Sequence, residues 1–164
     1  MGRFPSLGRV SLLAFALLAS GPASPAGREA DDFVVIVTRD TPLTPLDKET
    51  LARIFLRKKI FWDNGTAIAP VNLSASHPLR RLFSEQILGL DPEELDDYWN
   101  AQYFHGIFPP YVVASEEAML RFVAQSPGAI GYVSACAVDQ RVKALLWPPS
   151  ANPARDPPRI CPQK

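Results

Sequence analysis

The side chains best placed to do chemistry stand together in Ser76-His77-Pro78-Leu79-Arg80-Arg81. Ser76-His77-Pro78 is a helix-opening sequence, and a helix start presents unpaired N–H groups and partial positive charge, a setting suited to an anion. Ser76, His77 and Arg80 add a hydroxyl, an imidazole and a guanidinium there, with Arg81 beside them, and they form the candidate anion site. The same residues also fit plain capping by Ser76 with solvated arginines. Pro78 weakens the site, because it has no N–H to offer.

Few other residues are spaced for chemistry. His77 and His105 are the only histidines and lie 28 positions apart, with no metal-ligand pattern near either. No metal and no cofactor are expected. His105, between Phe104 and Gly106, reads as a turn residue. Phosphate-loop, nucleophile-elbow and zinc-protease signatures are missing, so the chain is not expected to be an enzyme. Tyr98, Trp99, Tyr103 and Phe104 could line a ligand surface, but at helical spacing they read first as core. Arg57, Lys58 and Lys59 read as a solvated helix end, with partner docking as the alternative.

The elements that must carry these residues alternate. Phe33 to Val37 is a β-branched run read as a buried strand. Thr44-Pro45-Leu46-Asp47 predicts a helix capped by Thr44, with Asp47 reaching back, and Leu51, Ile54 and Phe55 on its apolar face. Asp63-Asn64-Gly65 is a turn, and Ile68 to Leu73 a second strand with Pro70 at an edge or end. The helix after Pro78 carries Leu79, Leu82, Phe83 and Ile87 and ends at Gly89. Asp91-Pro92-Glu93-Glu94 caps a third helix. Tyr111 to Ala114 is a strand, and Ser115 caps a helix with Ala118, Met119, Phe122 and Val123 inward. Ala129 to Ser134 is a strand whose internal Gly marks close backbone approach. Val142 to Trp147 is a last strand. Strands separated by helices predict an α/β fold with a parallel or mixed sheet flanked by helices.

The ends are of a different kind. Arg3 and Arg9 precede an 11-residue apolar run, Val10 to Ser20, followed by Ser24-Pro25-Ala26. A bilayer span needs about 20 apolar residues, so the run is read as a secretory signal peptide over 1–26, with cleavage after Ala23 as the alternative. No Cys follows it closely, which argues against a lipid anchor. The mature chain is then periplasmic or secreted, without stable membrane insertion. Residues 27–32 form a short linker, 33–147 the folded domain and 148–164 a Pro-rich tail. Cys136 and Cys161 are the only cysteines. An oxidising compartment predicts a disulfide between them, closing a loop of about 25 residues and contributing about 3–4 kcal/mol in the chain-entropy model.

The whole chain has 164 residues, 47% apolar and 21% charged, which fits one globular domain. Lys+Arg and Asp+Glu are both 17, so no nucleic-acid partner is expected. Removing residues 1–26 takes away two Arg and no acid, leaving a mild net charge of −2. The 17 prolines exclude a pure helical bundle.

Four stretches together resemble a known family. They are Leu51-Ala52-Arg53-Ile54-Phe55-Leu56 with Lys58, Trp62 and Gly65; Pro70-Val71-Asn72 with Ser76, Phe83 and Leu88-Gly89; Tyr98-Trp99 with Phe104-His105-Gly106 and Pro109-Pro110; and Pro127-Gly128-Ala129-Ile130-Gly131-Tyr132-Val133. In order and spacing they are similar to the periplasmic phosphate-binding proteins of ABC transporters, in particular the short single-lobe members. The resemblance implies one lobe of a type 2 periplasmic binding fold, an inorganic phosphate or other small anion as ligand, and an envelope protein partner to supply the other lobe. It also implies an alternative, a non-transport accessory or interaction domain that kept the fold and lost the ligand. The family's anion loop offers an Arg and then Ser-Gly-Thr at a helix start. Here Leu73 stands for the Arg, His77 for the Gly and Pro78 for the Thr, and Ser76 alone survives.

Overall fold

The computed structural model describes residues 1–2, 33–41 and 46–145. Most of the expected signal segment, the 27–32 linker, Thr44, Pro45, Trp147, the Pro-rich tail and Cys161 lie outside the described residues.

Five strands form one mixed sheet in the order β3-β2-β4-β1-β5. They are β1 (Phe33–Val37), β2 (Ala69–Leu73), β3 (Tyr111–Val113), β4 (Ala129–Ser134) and β5 (Lys143–Leu145). β2 runs parallel to β3 and β4, whereas β1 is antiparallel to β4 and β5. All five residues of β1 are buried, as expected of an unbroken β-branched run covered on both faces. Pro70 pairs with Ile130 of β4, while the pairing to β3 begins only at Val71. Pro70 therefore sits at the strand end, where its missing N–H costs little.

Helices cover both faces. Successive strand residues point to opposite sides, and Gly131 and Tyr132 of β4 show which helix lies on each. Gly131 backs onto α4 (Glu116–Gln125), where an added Cβ would lie 2.3 Å from Met119 Sδ. Tyr132 faces the other layer, stacking on Phe83 of α2 (Pro78–Phe83) with Phe55 of α1 (Lys48–Phe55) beside it. Leu51, Ile54 and Phe55 are buried as their spacing implies.

Two helix starts differ from expectation. Asp47, not Thr44, caps α1, its carboxylate accepting from Thr50 N at 2.7 Å. An acceptor three residues ahead of a free amide captures it directly, so the helix starts later than the Thr-Pro pair implied. His77, not Ser76, caps α2, its Nδ1 accepting from Leu79 N at 3.2 Å. The α2 turn continues as a π-helical turn, Ser84–Leu88, which Gly89 closes in a left-handed conformation at φ 73°.

The third helix corrects a larger expectation. α3 (Leu95–Tyr103) starts on the predicted capping box: Glu94 N donates to Asp91 Oδ1 and Asp91 N to Glu94 Oε2, both at 2.9 Å. Its aromatic stripe is not core. Only Leu95 is buried, Tyr98 and Trp99 are half-buried, and Tyr103 and Phe104 are exposed. Helical spacing creates a stripe, but burial needs an element facing it. Tyr98 reaches one, donating its hydroxyl to Leu56 O at 2.8 Å.

Candidate functional site

The Ser76–Arg80 stretch follows the C-terminal end of β2, next to the ends of β3 and β4 that run parallel to it. Its backbone is locally satisfied. His77 N donates to Ser74 O at 2.9 Å, Leu79 N to the His77 ring, and Arg80 N and Arg81 N to His77 O at 2.9 and 3.3 Å. An accepting Nδ1 leaves the His77 ring proton on Nε2. Pro78 lacks an N–H, so the amides from His77 to Arg81 offer an anion no free donor. Ser76 remains outside, its hydroxyl 3.4 Å from that of Ser74.

Arg80 turns the other way. It is only 7% exposed, and its Nη1 donates to Asn72 Oδ1 at 2.6 Å in the interior. The Tyr132 hydroxyl donates to the same oxygen at 3.4 Å and accepts from Leu73 N at 3.3 Å. Burial pushes the Tyr132 phenol above its ordinary range, and the neighbouring Arg80 charge pulls it partly back. One helical turn on, Ser84 Oγ is buried with no hydrogen-bond partner. Among the described residues no carboxylate pairs with Arg80, whereas Arg81 pairs with Glu93. The cluster Asn72–Arg80–Tyr132 thus places a cation in low dielectric against neutral oxygens, an environment that an anion would complete.

Of the candidate residues, Ser76 and His77 bond within their own turn, whereas Arg80 points into the interior. The sequence offers Arg80 either as an anion donor or as a solvated arginine, not as a buried one, and gives Asn72 and Tyr132 no role at the site. A signal for Arg80 existed: it precedes Phe83, Ser84 and Ile87 by three, four and seven residues, the spacing of the buried face.

The remaining candidates resolve individually. His105 is exposed in the turn after α3, and no group of three metal-ligating side chains occurs among the described residues. The basic run is not simply solvated. Arg57, at φ 58°, donates to Ile68 O at 3.1 Å, Lys58 sits 5.8 Å over the Tyr98 ring, and Lys59 pairs with Asp63 at 3.0 Å. Cys136 lies in a 3-10 turn, Ala135–Ala137, and is not a free thiol. At the opposite end of the sheet, a pocket of about 230 Å³ lies between Thr38, Thr41, Trp62, Asn64 and Gly128. The Trp62 indole there donates to Gly128 O at 3.0 Å. The lining comes from several separate loops, so no contiguous motif announced it.

Comparison with solved structures places the fold. The chain is similar to an ABC-type phosphate transport receptor from Vibrio cholerae, at 25% identity and a TM-score of 0.54 over 69% of this chain and 44% of that one. It is also similar to a Clostridium perfringens protein assigned to phosphate ABC transporters and solved with bound phosphate, at 22% identity and a TM-score of 0.56 over 69% and 43%. No protein-family model matches the sequence, and no curated protein matches it significantly. The chain spans less than half the length of the solved structures it matches. Its mixed sheet with helices on both faces is an α/β fold like one lobe of a phosphate-binding protein.

Proposed function

We propose that the mature chain is an exported, solute-binding-protein-like domain that holds a small anion, inorganic phosphate first among them, at the Arg80 corner. The observation that carries this reading is the buried Arg80 guanidinium, bonded to a neutral amide oxygen and unpaired with any described carboxylate. A buried cation is costly unless its charge is met, and an anion entering past Ser76 and His77 would meet it. The phosphate-transport neighbours support the ligand class. A single lobe leaves its ligand half in water, where charge-assisted bonds lose strength, so binding is weak unless an envelope protein partner covers the open side. The chain has no catalytic role in this reading, and it takes no cofactor. The Arg-flanked apolar run over the first 26 residues supports export to the periplasm or beyond, and no described helix is long and apolar enough to cross a membrane.

A second reading rests on a separate observation. Pro78 offers no N–H, and the amides around it bond within their own turn. An accessory or interaction domain that kept the fold and lost its ligand would look the same there. Isothermal titration of the mature protein with phosphate, and with sulfate alongside, separates the two. The first reading expects a Kd of about 10 µM to 1 mM, lost in a folded Arg80→Gln variant. Silence with both anions favours the accessory role. Sub-micromolar binding to the isolated chain contradicts the weak half-site.

A further inference from the structure

The end of α3, the loop after it and β3 carry Tyr103, Phe104, Phe108, Tyr111 and Val112, each between 62% and 86% exposed. Tyr103 meets Phe104 and Phe108 edge-on, at centroid distances of 6.3 and 5.6 Å. Phe108 and Tyr111 are three residues apart and so within about 11 Å of each other. Tyr103, Phe104 and Phe108 thus form one ring cluster, while Tyr111 rests on Phe122 of α4 at 5.5 Å and Val112 projects to the other face of the sheet. Residues 98–115 contain no Asp, Glu, Lys or Arg, in a chain that is 21% charged. Aromatic enrichment with charge depletion is the composition of an interface core.

The patch runs onto an open sheet edge. Among the described residues β3 pairs only with β2, so its other side is an open edge there. Soluble proteins usually guard such an edge with charge or proline. Here the guards are the shortness of β3 and Pro109-Pro110 before it, while Tyr111-Val112-Val113 itself carries no charge.

We propose that this face joins two copies of the chain across a two-fold axis, with β3 lying antiparallel to β3 of the second copy. A strand edge is complementary to itself when reversed, so one operation extends the sheet of each copy into the other and satisfies both rows of backbone groups. The uncharged face lets identical surfaces meet without like-charge repulsion, whereas a charged partner would find nothing to pair with. The exposed side chains amount to at most about 500–600 Å² per copy at the usual size of aromatic residues. Two copies together then bury at most just over the roughly 1,000 Å² that a specific interface needs. This inference stands apart from the anion site.

The test is the solution mass of the mature protein by light scattering at about 100 µM, a concentration that populates micromolar dimers. Wild type is expected at twice the monomer mass. Phe104→Asp and Val112→Lys, both at exposed positions, are expected to halve it with circular dichroism unchanged, and Lys48→Glu at the start of α1 to leave it dimeric. Hydrogen exchange at residues 111–113 is expected to slow on concentration. A monomeric wild type overturns the proposal and leaves the patch to another occupant. A dimer that survives both substitutions, or that forms without protecting β3, overturns the interface assigned here.

Discussion

Tyr132 lies flat on Phe83, with ring centroids 4.1 Å apart and planes within 4°, and its hydroxyl accepts from Leu73 N at 3.3 Å. One side chain thus joins the aromatic core to the end of the strand that leads into the candidate site. Tyr132→Phe keeps the stack and orphans a buried amide, which costs about 1–3 kcal/mol. Urea unfolding checks this: the midpoint should fall with the slope unchanged.

Gly131 has room for a side chain only if Met119 moves. An added Cβ would come within 2.3 Å of Met119 Sδ and 3.3 Å of Val123 Cγ2. Gly131→Ala is expected to destabilise by about 1–3 kcal/mol through overpacking. Met119→Ala opens a cavity at the same point, so the double variant should be more stable than the two single losses predict. Additive losses in a double-mutant cycle would mean that the two sites do not meet.

Acid sensitivity should concentrate on three carboxylates at or near the surface. Hydrogen bonds from Arg141 hold the Glu117 and Asp139 carboxyls below their ordinary values of 4.5 and 3.8, and the Thr50 amide does the same for Asp47. The unfolded chain therefore binds more protons as pH falls below those values. Stability from these groups is complete above the ordinary values and is lost as pH drops through the lowered ones. Thermal melts between about pH 5 and pH 2 should show this loss, and Glu117→Gln should make it shallower. Salt should shrink the Arg141 contribution, because its pairs face water.

The Cys136–Cys161 disulfide is expected in protein purified from an oxidising compartment. Intact mass under non-reducing conditions should be about 2 Da below the reduced form, the two thiol hydrogens lost on oxidation. Two alkylatable thiols in freshly purified protein would contradict the bond.

Legibility in the sequence followed how local each signal was. Phe33–Val37 and Ala129–Ser134 read out to their ends, because strands covered on both faces need unbroken apolar runs. The Asp91–Glu94 box was legible because both of its bonds close within four residues. The caps at Asp47 and His77 were misread by one to three positions. Several acceptors competed for the same amides, and an imidazole cap has no common signature. The α3 stripe misled more seriously, since periodicity says nothing about which element stands opposite. Of the proposed site, Ser76, His77 and Arg80 lie in one contiguous motif and Asn72 eight residues before Arg80, whereas Tyr132 joins them only through the packing of β4 beside β2.

The central claim is that Arg80, buried beside Asn72, is the receptor of a small anion. An NMR titration of the mature protein with inorganic phosphate, following the Arg80 side-chain Nε–H and the backbone amides of residues 72–81, tests it most directly. The Arg80 signal and the amides around Ser76 and His77 should shift saturably together, while the Trp62 indole at the far end of the sheet stays still. Phosphate-dependent shifts that avoid Arg80, or none at millimolar phosphate, would contradict the account.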